Sequence, residues 1–363
     1  MTVAAAMPDS RLRRWLTDGP IQRDDGAVAG YVDDRDDAAY VYPEITGYYL
    51  QWLAWNAARG EPRAALAARA AAAQRWLTAW IAETPPVTRV FRDPAQVDWR
   101  NRAVFCFDLA MVLRGLAAAT RYELVAPVPG LVAAVCRPLA ELIGADHQLD
   151  ACKLHDPRKV YDPRGDFPDR WSTRRGAFLA KAAAGIEFAA AALDAVPAAL
   201  RDAATRTFAA SLDALGEPHL PTHPLLYAIE GYLNWPTHPD FAARLPAIGA
   251  RFDALVERSS ALGRVPEAMD APGAARLDIV AQTLRAGLLL AQHRGAAMPD
   301  AFRHGLEAAL RAAATPDGAI PFVRDARPPQ RNAWATMFAS QALAWSILDA
   351  DAMAQLAAEP LIV

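Results

Sequence analysis

Acidic and aromatic side chains cluster in the segment 33–49 of the sequence. Glu44 follows Pro43, a residue that suits the first turn of a helix, so the helix dipole would favour a carboxylate there. Tyrosines surround Glu44, and aromatic faces beside an acid are typical of a sugar-binding cleft. The pattern predicts that Glu44 is catalytic and that Tyr40 and Tyr48 bind a ligand. The alternative is that Glu44 only starts the helix, next to a solvated acidic loop.

Two further segments carry charged residues that could do chemistry. Asp108 is a single acid in an otherwise apolar stretch, so we predict a catalytic role; the alternative is a buried ion pair with Arg114. Arg174 follows Ser172 and Thr173, either of which can cap a helix. Its guanidinium group could hold a carboxylate or a phosphate with two hydrogen bonds, and the alternative is a structural ion pair.

His223, Tyr227 and Glu230 are spaced so that they share one face of a helix, because the intervals are three and four residues. A histidine, a tyrosine and a glutamate on one face can supply a general acid, a general base and a hydrogen bond to either. We predict that His223 and Glu230 are catalytic and that Tyr227 contacts the substrate. The alternative is that His223 caps the helix and Glu230 pairs with an arginine.

Two later segments place polar residues every three or four positions among apolar ones. The first contains Asp278, Gln282 and Arg285, and the second contains Asn332 and Trp334. Buried polar groups need partners, and helices that face a wet cavity provide them. We predict that Asp278 is a reserve catalytic acid and that the other four side chains bind substrate.

Helices must position all of these side chains, because apolar residues recur at helical intervals and alternating strand patterns are almost absent. Prolines and glycines separate the periodic segments. The predicted helices are 9–17, 44–58, 63–82, 102–120, 129–144, 173–192, 196–214, 223–234, 240–260, 274–293, 298–314, 331–349 and 350–358.

Helices with polar and aromatic residues alternate with plainer Ala/Leu/Arg helices, which indicates a repeated helix pair. Six pairs can close a ring with the polar helices inside. The sequence therefore predicts an all-α protein, a single (α/α)6 toroid of about twelve helices in six hairpins. An irregular bundle and an open solenoid are the alternatives. An N-terminal helix and acidic loop (1–39) would precede the toroid domain (40–363).

Composition excludes several classes of protein. The formal net charge of −3 over 363 residues argues against a nucleic-acid binder. The sequence contains neither an apolar run long enough to span a membrane nor a signal-peptide pattern at its start.

The three cysteines fit reduced thiols in the cytoplasm. His147 and His155 flank Cys152 without the spacing of a helix-borne metal site, so we predict no metal and no cofactor. The oligomeric state is not indicated.

Five segments resemble the repeated inner-helix motifs of six-hairpin glycosidase-like proteins, above all a set found with bacterial polysaccharide genes. They read Y-P-E-I-T-G-Y, F-D-x-x-M-V-L-R-G-L, H-P-x-x-Y-A-I-E-G-Y, R-x-D-I-x-A-Q-T-L-R and W-A-T-M-F-A-x-Q-A-L. The resemblance covers about 40–349 and implies an (α/α)6 toroid with a carbohydrate ligand. Six-hairpin families include glycoside hydrolases, unsaturated glucuronyl hydrolases, polysaccharide lyases and sugar 2-epimerases, so the fold does not fix the reaction.

We therefore expect a carbohydrate-active enzyme. The first expectation is a glycoside hydrolase that acts on a bacterial oligo- or polysaccharide, and acidic saccharides are among the expected substrates. Such hydrolysis uses two carboxylates, here Glu44 and Glu230, with Asp108 and Asp278 in reserve. Arg174 and Arg285 would read an acidic substituent. In a lyase or epimerase, His223 or Tyr227 would be the base. A non-catalytic toroid that binds a glycan is a further alternative.

A second resemblance points elsewhere. The segment 34–37, D-R-D-D, is similar to the D-x-D-D acid motif of class II terpene cyclases, which also use α/α barrels. That resemblance implies that Asp36 protonates an alkene inside an apolar, aromatic-lined cavity.

Overall fold

The computed structural model describes residues 10–83, 85–154, 167–217 and 219–363. These residues contain thirteen α-helices, which confirms the all-α prediction. They are α1 (Ser10–Asp18), α2 (Pro43–Ala58), α3 (Arg63–Ile81), α4 (Cys106–Arg121), α5 (Pro129–Ala140), α6 (Leu179–Ala192), α7 (Ala198–Asp213), α8 (Thr222–Leu233), α9 (Phe241–Leu262), α10 (Leu277–Arg294), α11 (Asp300–Ala313), α12 (Ala333–Trp345) and α13 (Ala350–Ala358).

Burial alternates along the chain, as the predicted helix pairs require. Helices α2, α4, α8, α10 and α12 are buried along most of their length. Helices α3, α5, α7, α9 and α11 bury only one face. Helix α6 is also mostly buried, and α13 buries only two of its residues. After α1, the described helices therefore form six successive pairs of a mostly buried and a more exposed helix. Within the described ranges, no helix is long and apolar enough to cross a membrane.

In the described ranges, seven strands of two or three residues lie between the helices. They are β1 (Tyr31–Val32), β2 (Tyr40–Val41), β3 (Val90–Phe91), β4 (Ala103–Phe105), β5 (Cys152–Leu154), β6 (Ile320–Pro321) and β7 (Arg331–Asn332). All the pairs are antiparallel: β1 and β6 flank β7, β2 pairs with β3, and β4 pairs with β5. The sequence did not predict them, because strands this short show no alternation.

Four predicted helices extend four to six residues too far at one end. Helix α5 ends at Ala140 rather than 144. At the starts of α4, α6 and α12, short strands and turns take residues from the helix. Helix α4 begins at Cys106 rather than 102, since β4 occupies the residues before it. Helix α6 begins at Leu179 rather than 173, since Trp171–Thr173 form a 3-10 turn. Helix α12 is shorter than predicted at both ends, and β7 precedes it.

The chain divides into two compact units. The α2–α7 unit comprises 22–30 and 38–214. The α8–α13 unit comprises 215–363 together with 31–37 and the segment that contains α1. The predicted boundary after residue 39 remains a prediction.

In the α2–α7 unit, helices α2 and α4 meet at glycines. A Cβ atom added to Gly47 would lie 2.5 Å from the backbone oxygen of Met111, and one added to Gly115 would collide with the backbone of Gly47. Only glycine permits this backbone approach. Glu44 precedes Gly47 by three residues and Asp108 precedes Met111 by three, so this crossing brings the first turns of the two helices side by side.

In the α8–α13 unit, α10 packs against both α8 and α12, and α1 packs against α12. The polar side chains of α8, α10 and α12 are buried together with their apolar neighbours. Helices α9 and α11 pack on α10.

Candidate functional site

Two acids face each other in the α2–α7 unit. Glu44 lies in the first turn of α2 and Asp108 in the first turn of α4. Their carboxyl groups share a hydrogen bond. Both side chains are buried, with only 8% and 7% of their surface accessible. The structure thus brings together two predicted catalytic residues. We call Glu44, Asp108 and their neighbours Tyr42, Thr88 and Lys181 the carboxyl-pair cluster.

Neighbouring segments hold this pair in place. Tyr42 directly follows β2, and its hydroxyl donates a hydrogen bond to the Glu44 carboxylate. Strand β3 pairs with β2, and this pairing brings Thr88, two residues before β3, next to the carboxyl pair. The Thr88 hydroxyl donates to the carboxyl group of Asp108. Lys181 on α6 is fully buried and adds positive charge near Glu44.

The electrostatics of the cluster favour protonation of the pair. Burial and the nearby charge of Glu44 raise the pKa of Asp108 well above its usual range. Burial also raises the pKa of Glu44, but the hydrogen bond from Tyr42 and the charge of Lys181 oppose this shift. The hydrogen bond between the two groups lowers the pKa of Glu44 and raises the pKa of Asp108, so Asp108 holds the proton more tightly and donates it to the Glu44 carboxylate. A buried carboxyl group that keeps its proton at neutral pH can act as a general acid.

An aromatic surface adjoins the pair. Tyr40 packs against Phe91, with 5.2 Å between the ring centroids. The Arg89 guanidinium carbon lies 4.3 Å from the centroid of Tyr40, and this arginine also pairs with Asp98 at 3.2 Å. Tyr48 is fully buried, and its ring lies 4.9 Å from Nζ of Lys181. Tyr48 therefore supports Lys181 from within the core.

In the α8–α13 unit, a chain of hydrogen bonds joins three helices. Nδ1 of His223 lies 2.6 Å from Oε1 of Gln282, whose Nε2 donates to Glu230 at 3.1 Å. Arg285 donates to the other oxygen of Glu230 and to Oε1 of Gln341 at 3.0 Å. We call these five residues and the adjacent Asp278 the histidine cluster. Arg285 also donates to the backbone oxygen of Val363 at 2.9 Å.

These hydrogen bonds determine which ring nitrogen of His223 carries the proton. The Gln282 amide nitrogen donates to Glu230, so its oxygen faces His223 and accepts the Nδ1 proton. Burial and the charge of Arg276 lower the pKa of His223 to about 4, so the ring is neutral at neutral pH. Nε2 of His223 is consequently the unprotonated, basic nitrogen. The Tyr227 ring packs on this imidazole with 4.1 Å between the centroids.

Asp278 is held as an anion beside the histidine. Arg276 donates to both of its carboxylate oxygens, at 3.1 and 2.7 Å, and Trp334 Nε1 lies 3.3 Å from one of them. Burial alone would raise the pKa of Asp278, but the charge of Arg276 holds it below its ordinary value. Nδ1 of His223 lies 3.7 Å from the same carboxylate. Asp278 therefore suits charge stabilisation rather than proton donation.

Other predicted residues have structural partners. Glu230 is fully buried, and Arg285 and Gln282 occupy its two oxygens, which is the arginine pairing that the sequence left open. Asn332 caps α12 by accepting a hydrogen bond from the Ala335 amide at 2.8 Å. Arg174 is mostly exposed and pairs with Asp169 at 2.8 Å.

The remaining predictions concern two loops. Asp36 is exposed and pairs with Arg331 at 2.6 Å, in a left-handed backbone conformation. This is a loop anchor rather than the apolar surroundings that an alkene-protonating acid needs. His155, predicted not to bind a metal, lies outside the described residues. Elsewhere, in the part of the chain that the structure describes, no three acidic, histidine or cysteine side chains group as metal ligands would.

Sequence reasoning did not select several residues that complete the two clusters. Tyr42 stood among the clustered tyrosines, but nothing distinguished it from them. Thr88 and Arg89 lie in a loop and reach the pair only through the pairing of β2 and β3. Arg276 and Gln341 lie within the quoted motifs, where an arginine or glutamine near a buried acid was the available signal.

Comparison with known proteins shows similarity of structure only. No protein-family model matches the sequence, and no curated protein matches it. A crystal structure of D-mannose isomerase aligns with a TM-score of 0.71 at 11% identity, covering 95% of this chain and 98% of that chain. A sugar epimerase from a ruminal bacterium aligns with a TM-score of 0.69 at 10% identity, covering 94% and 100%. An unsaturated glucuronyl hydrolase specific for heparin aligns with a TM-score of 0.61 at 11% identity, covering 98% of each chain.

These similarities establish the fold. The chain is an (α/α)6 toroid of the six-hairpin type, as the helix pairs and the five motifs predicted. At identities near one residue in ten they do not assign a reaction.

Proposed function

We propose that the protein is a carbohydrate-active enzyme that uses Asp108 as a general acid, with Glu44 holding its proton in place. The observation that carries this proposal is the buried, hydrogen-bonded carboxyl pair, in which burial and the charge of Glu44 raise the pKa of Asp108. The similar structures support the substrate class, since their names are those of enzymes that act on sugars.

The reaction we propose is hydrolysis of a glycosidic bond. Asp108 transfers its proton to the glycosidic oxygen as the bond to the anomeric carbon breaks. Water supplies hydroxide to that carbon, and the proton left over returns to the carboxyl pair. While Asp108 is deprotonated, the hydrogen bonds from Tyr42 and Thr88 and the charge of Lys181 stabilise the two adjacent anions.

Glu44 has a positioning role in this scheme. Hydrolases that use two carboxylates hold them about 5–5.5 Å apart to form a covalent intermediate, or about 6.5–9.5 Å apart to admit water. A directly hydrogen-bonded pair is closer than either spacing. We therefore propose that the role of Glu44 is to raise the pKa of Asp108. That Glu44 and Glu230 act as a catalytic pair remains a prediction.

The test is product release from a panel of neutral and acidic oligosaccharides, including unsaturated glucuronyl oligosaccharides from heparin. Mass spectrometry separates hydrolysis, in which one water is gained, from elimination, in which none is gained. We expect hydrolysis by the wild-type protein and its loss in Asp108→Asn. Glu307→Gln is the matched control, because it changes a buried acid that is paired with Arg303 and Arg311 on α11. No turnover of any substrate, or equal turnover in Asp108→Asn, would contradict the proposal.

A second candidate function rests on His223. A neutral imidazole whose Nδ1 proton is fixed by Gln282 is suited to remove a proton beside a sugar carbonyl group, as isomerases and epimerases require. D-mannose and cellobiose are the test substrates, because similar structures carry those sugars in their names. In D2O, NMR would detect deuterium entering at the carbon next to the carbonyl. Deuterium entry that His223→Gln abolishes and Asp108→Asn retains would favour this candidate.

The cellular location and the substrate are also proposals. We propose a cytoplasmic enzyme that acts on an oligo- or polysaccharide of bacterial origin, in agreement with the reduced-thiol pattern and with the motif resemblance. The three cysteines are free thiols in the structure.

A further inference from the structure

A groove of about 400 Å³ lies between α9, α10 and α11 in the α8–α13 unit. Its apolar floor consists of Val265, Leu277, Val280 and Leu306, all of which are buried. The half-buried ring of Phe302 forms part of the wall. Small-molecule sites typically enclose about 300–1,000 Å³, so the groove is large enough for a ligand.

The charge around this groove has one sign. Arg264, Arg276 and Arg324 line it, and none of its lining residues is acidic. Arg276 is engaged by Asp278 at 2.7 Å. In the described part of the chain, the side chains of Arg264 and Arg324 have no acidic partner. The hydroxyl groups of the lining serines donate to backbone carbonyls of their own helix, so they do not compete for a ligand.

We propose that this groove binds an amphipathic phosphate monoester. The alkyl chain would cover the apolar floor, and the head group would lie between Arg264 and Arg324. Two guanidinium groups without acidic partners match the two negative charges of a phosphate monoester, and each can donate two parallel hydrogen bonds to it. The inference is independent of the proposed function, because it uses neither the carboxyl pair nor His223.

The test is isothermal titration calorimetry of the full chain with decyl phosphate below its micelle concentration. Inorganic phosphate offers the head group alone, and 1-decanol offers the apolar chain alone. We expect decyl phosphate to bind at least about tenfold more tightly than either, because only it uses both parts of the groove. Absence of decyl phosphate binding, or binding of 1-decanol with equal affinity, would overturn the proposal.

Two variants locate the binding. Gly305 lines the groove, and a Cβ atom there meets no atom within 4 Å, so Gly305→Leu fills the groove without a clash and favours the helix. Gly130→Leu is the matched control, because Gly130 is equally unobstructed in α5 and lies outside the groove. We expect Gly305→Leu to abolish binding and Gly130→Leu to retain it.

The double variant Arg264→Gln/Arg324→Gln tests the head group. We expect it to weaken decyl phosphate binding at least about tenfold while leaving 1-decanol binding unchanged. Wild-type affinity in this variant or in Gly305→Leu would show that the ligand binds elsewhere and would overturn the proposal.

Discussion

The carboxyl-pair cluster and the histidine cluster bury an aspartate in the same local setting and give it opposite chemistry. Asp108 lies in the first turn of α4 and Asp278 in the first turn of α10, and both are buried. The pKa of Asp108 is raised well above its usual range, whereas the pKa of Asp278 is lowered. The difference comes from the partner, since Asp108 faces the carboxylate of Glu44 and Asp278 faces the guanidinium of Arg276.

This comparison separates acids that can transfer a proton from acids that hold a structure together. A buried acid beside a cation stays ionised and has no proton to give. A buried acid beside another acid keeps its proton, because two adjacent anions repel each other. By this criterion Asp108 and Glu44 are the chemical pair of the molecule, and Glu230 and Asp278 are anions that fix the surroundings of His223.

The largest expected effect is on catalysis by the carboxyl pair. Asp108→Asn removes the proton donor while preserving shape and one hydrogen-bonding oxygen, so turnover should fall by about 10²–10⁴-fold. Steady-state rates on the substrate found in the panel measure this. A fall of less than about tenfold would assign the proton transfer to another group.

The same substitution should change how stability depends on pH. The raised pKa means that folded Asp108 binds its proton more tightly than the unfolded chain does, so wild-type stability falls as pH rises from the ordinary aspartate pKa through the raised one. Asp108→Asn should lose this decline and be relatively more stable at neutral pH. Urea unfolding across the pH range measures it. A parallel pH profile in the two proteins would show that Asp108 holds no extra proton.

Breaking the buried ion pair of the histidine cluster should have the largest effect on stability. Arg285→Met leaves Glu230 buried without its cation, which should cost about 3–5 kcal/mol of unfolding free energy. The double variant Arg285→Met/Glu230→Leu should recover most of that loss, because no charge then remains buried. If the single variant unfolds with wild-type free energy, the pair is not the anchor we describe.

His223 should make the protein sensitive to acid. Its pKa is lowered from 6.5 to about 4, so the unfolded state binds more protons between these values and stability declines as pH falls through them. The full loss below pH 4 corresponds to about 3 kcal/mol. His223→Gln should lack this component in urea unfolding at pH 7 and pH 4. An unchanged acid dependence in the variant would show that folding does not lower the pKa of His223.

A smaller effect is expected where α2 crosses α4. Gly47→Ala places a Cβ atom against the Met111 backbone, and such overpacking should cost about 1–3 kcal/mol. The shift should also separate Glu44 from Asp108 and lower activity. Gly130→Ala is the control, since its Cβ atom has space. Equal stability and activity of both variants would mean that the crossing does not set the carboxyl pair.

The helices and their alternation could be predicted from the sequence because apolar residues recur at helical intervals. The buried helices are apolar almost all round, and the half-exposed helices show one polar face, so their alternation was visible in the sequence. The starts of α4 and α6 were not visible in the sequence. Ala103–Phe105 pair with Cys152–Leu154, which is distant in sequence, and Trp171–Thr173 form a 3-10 turn that Arg170 and Thr173 cap.

The candidate site was predicted less completely, for a related reason. Asp108 stood out as a single acid in an apolar stretch, Glu44 as an acid among tyrosines, and His223 by its helical spacing from Tyr227 and Glu230. Their partners did not follow from spacing, since Glu44 meets Asp108 through a glycine crossing. Thr88 reaches Asp108 only through a two-residue strand. Pairing across helices is a property of packing, which one sequence does not display.

The central claim is that the Glu44–Asp108 pair holds one proton at neutral pH, and infrared difference spectroscopy tests it most directly. The spectrum of the wild-type protein minus that of Asp108→Asn should show a protonated carboxyl band at pH 7 that disappears on raising the pH. The same band should be absent or shifted in Glu44→Gln and unchanged in Glu307→Gln. A difference spectrum with only ionised carboxylate bands at pH 7 would contradict the account.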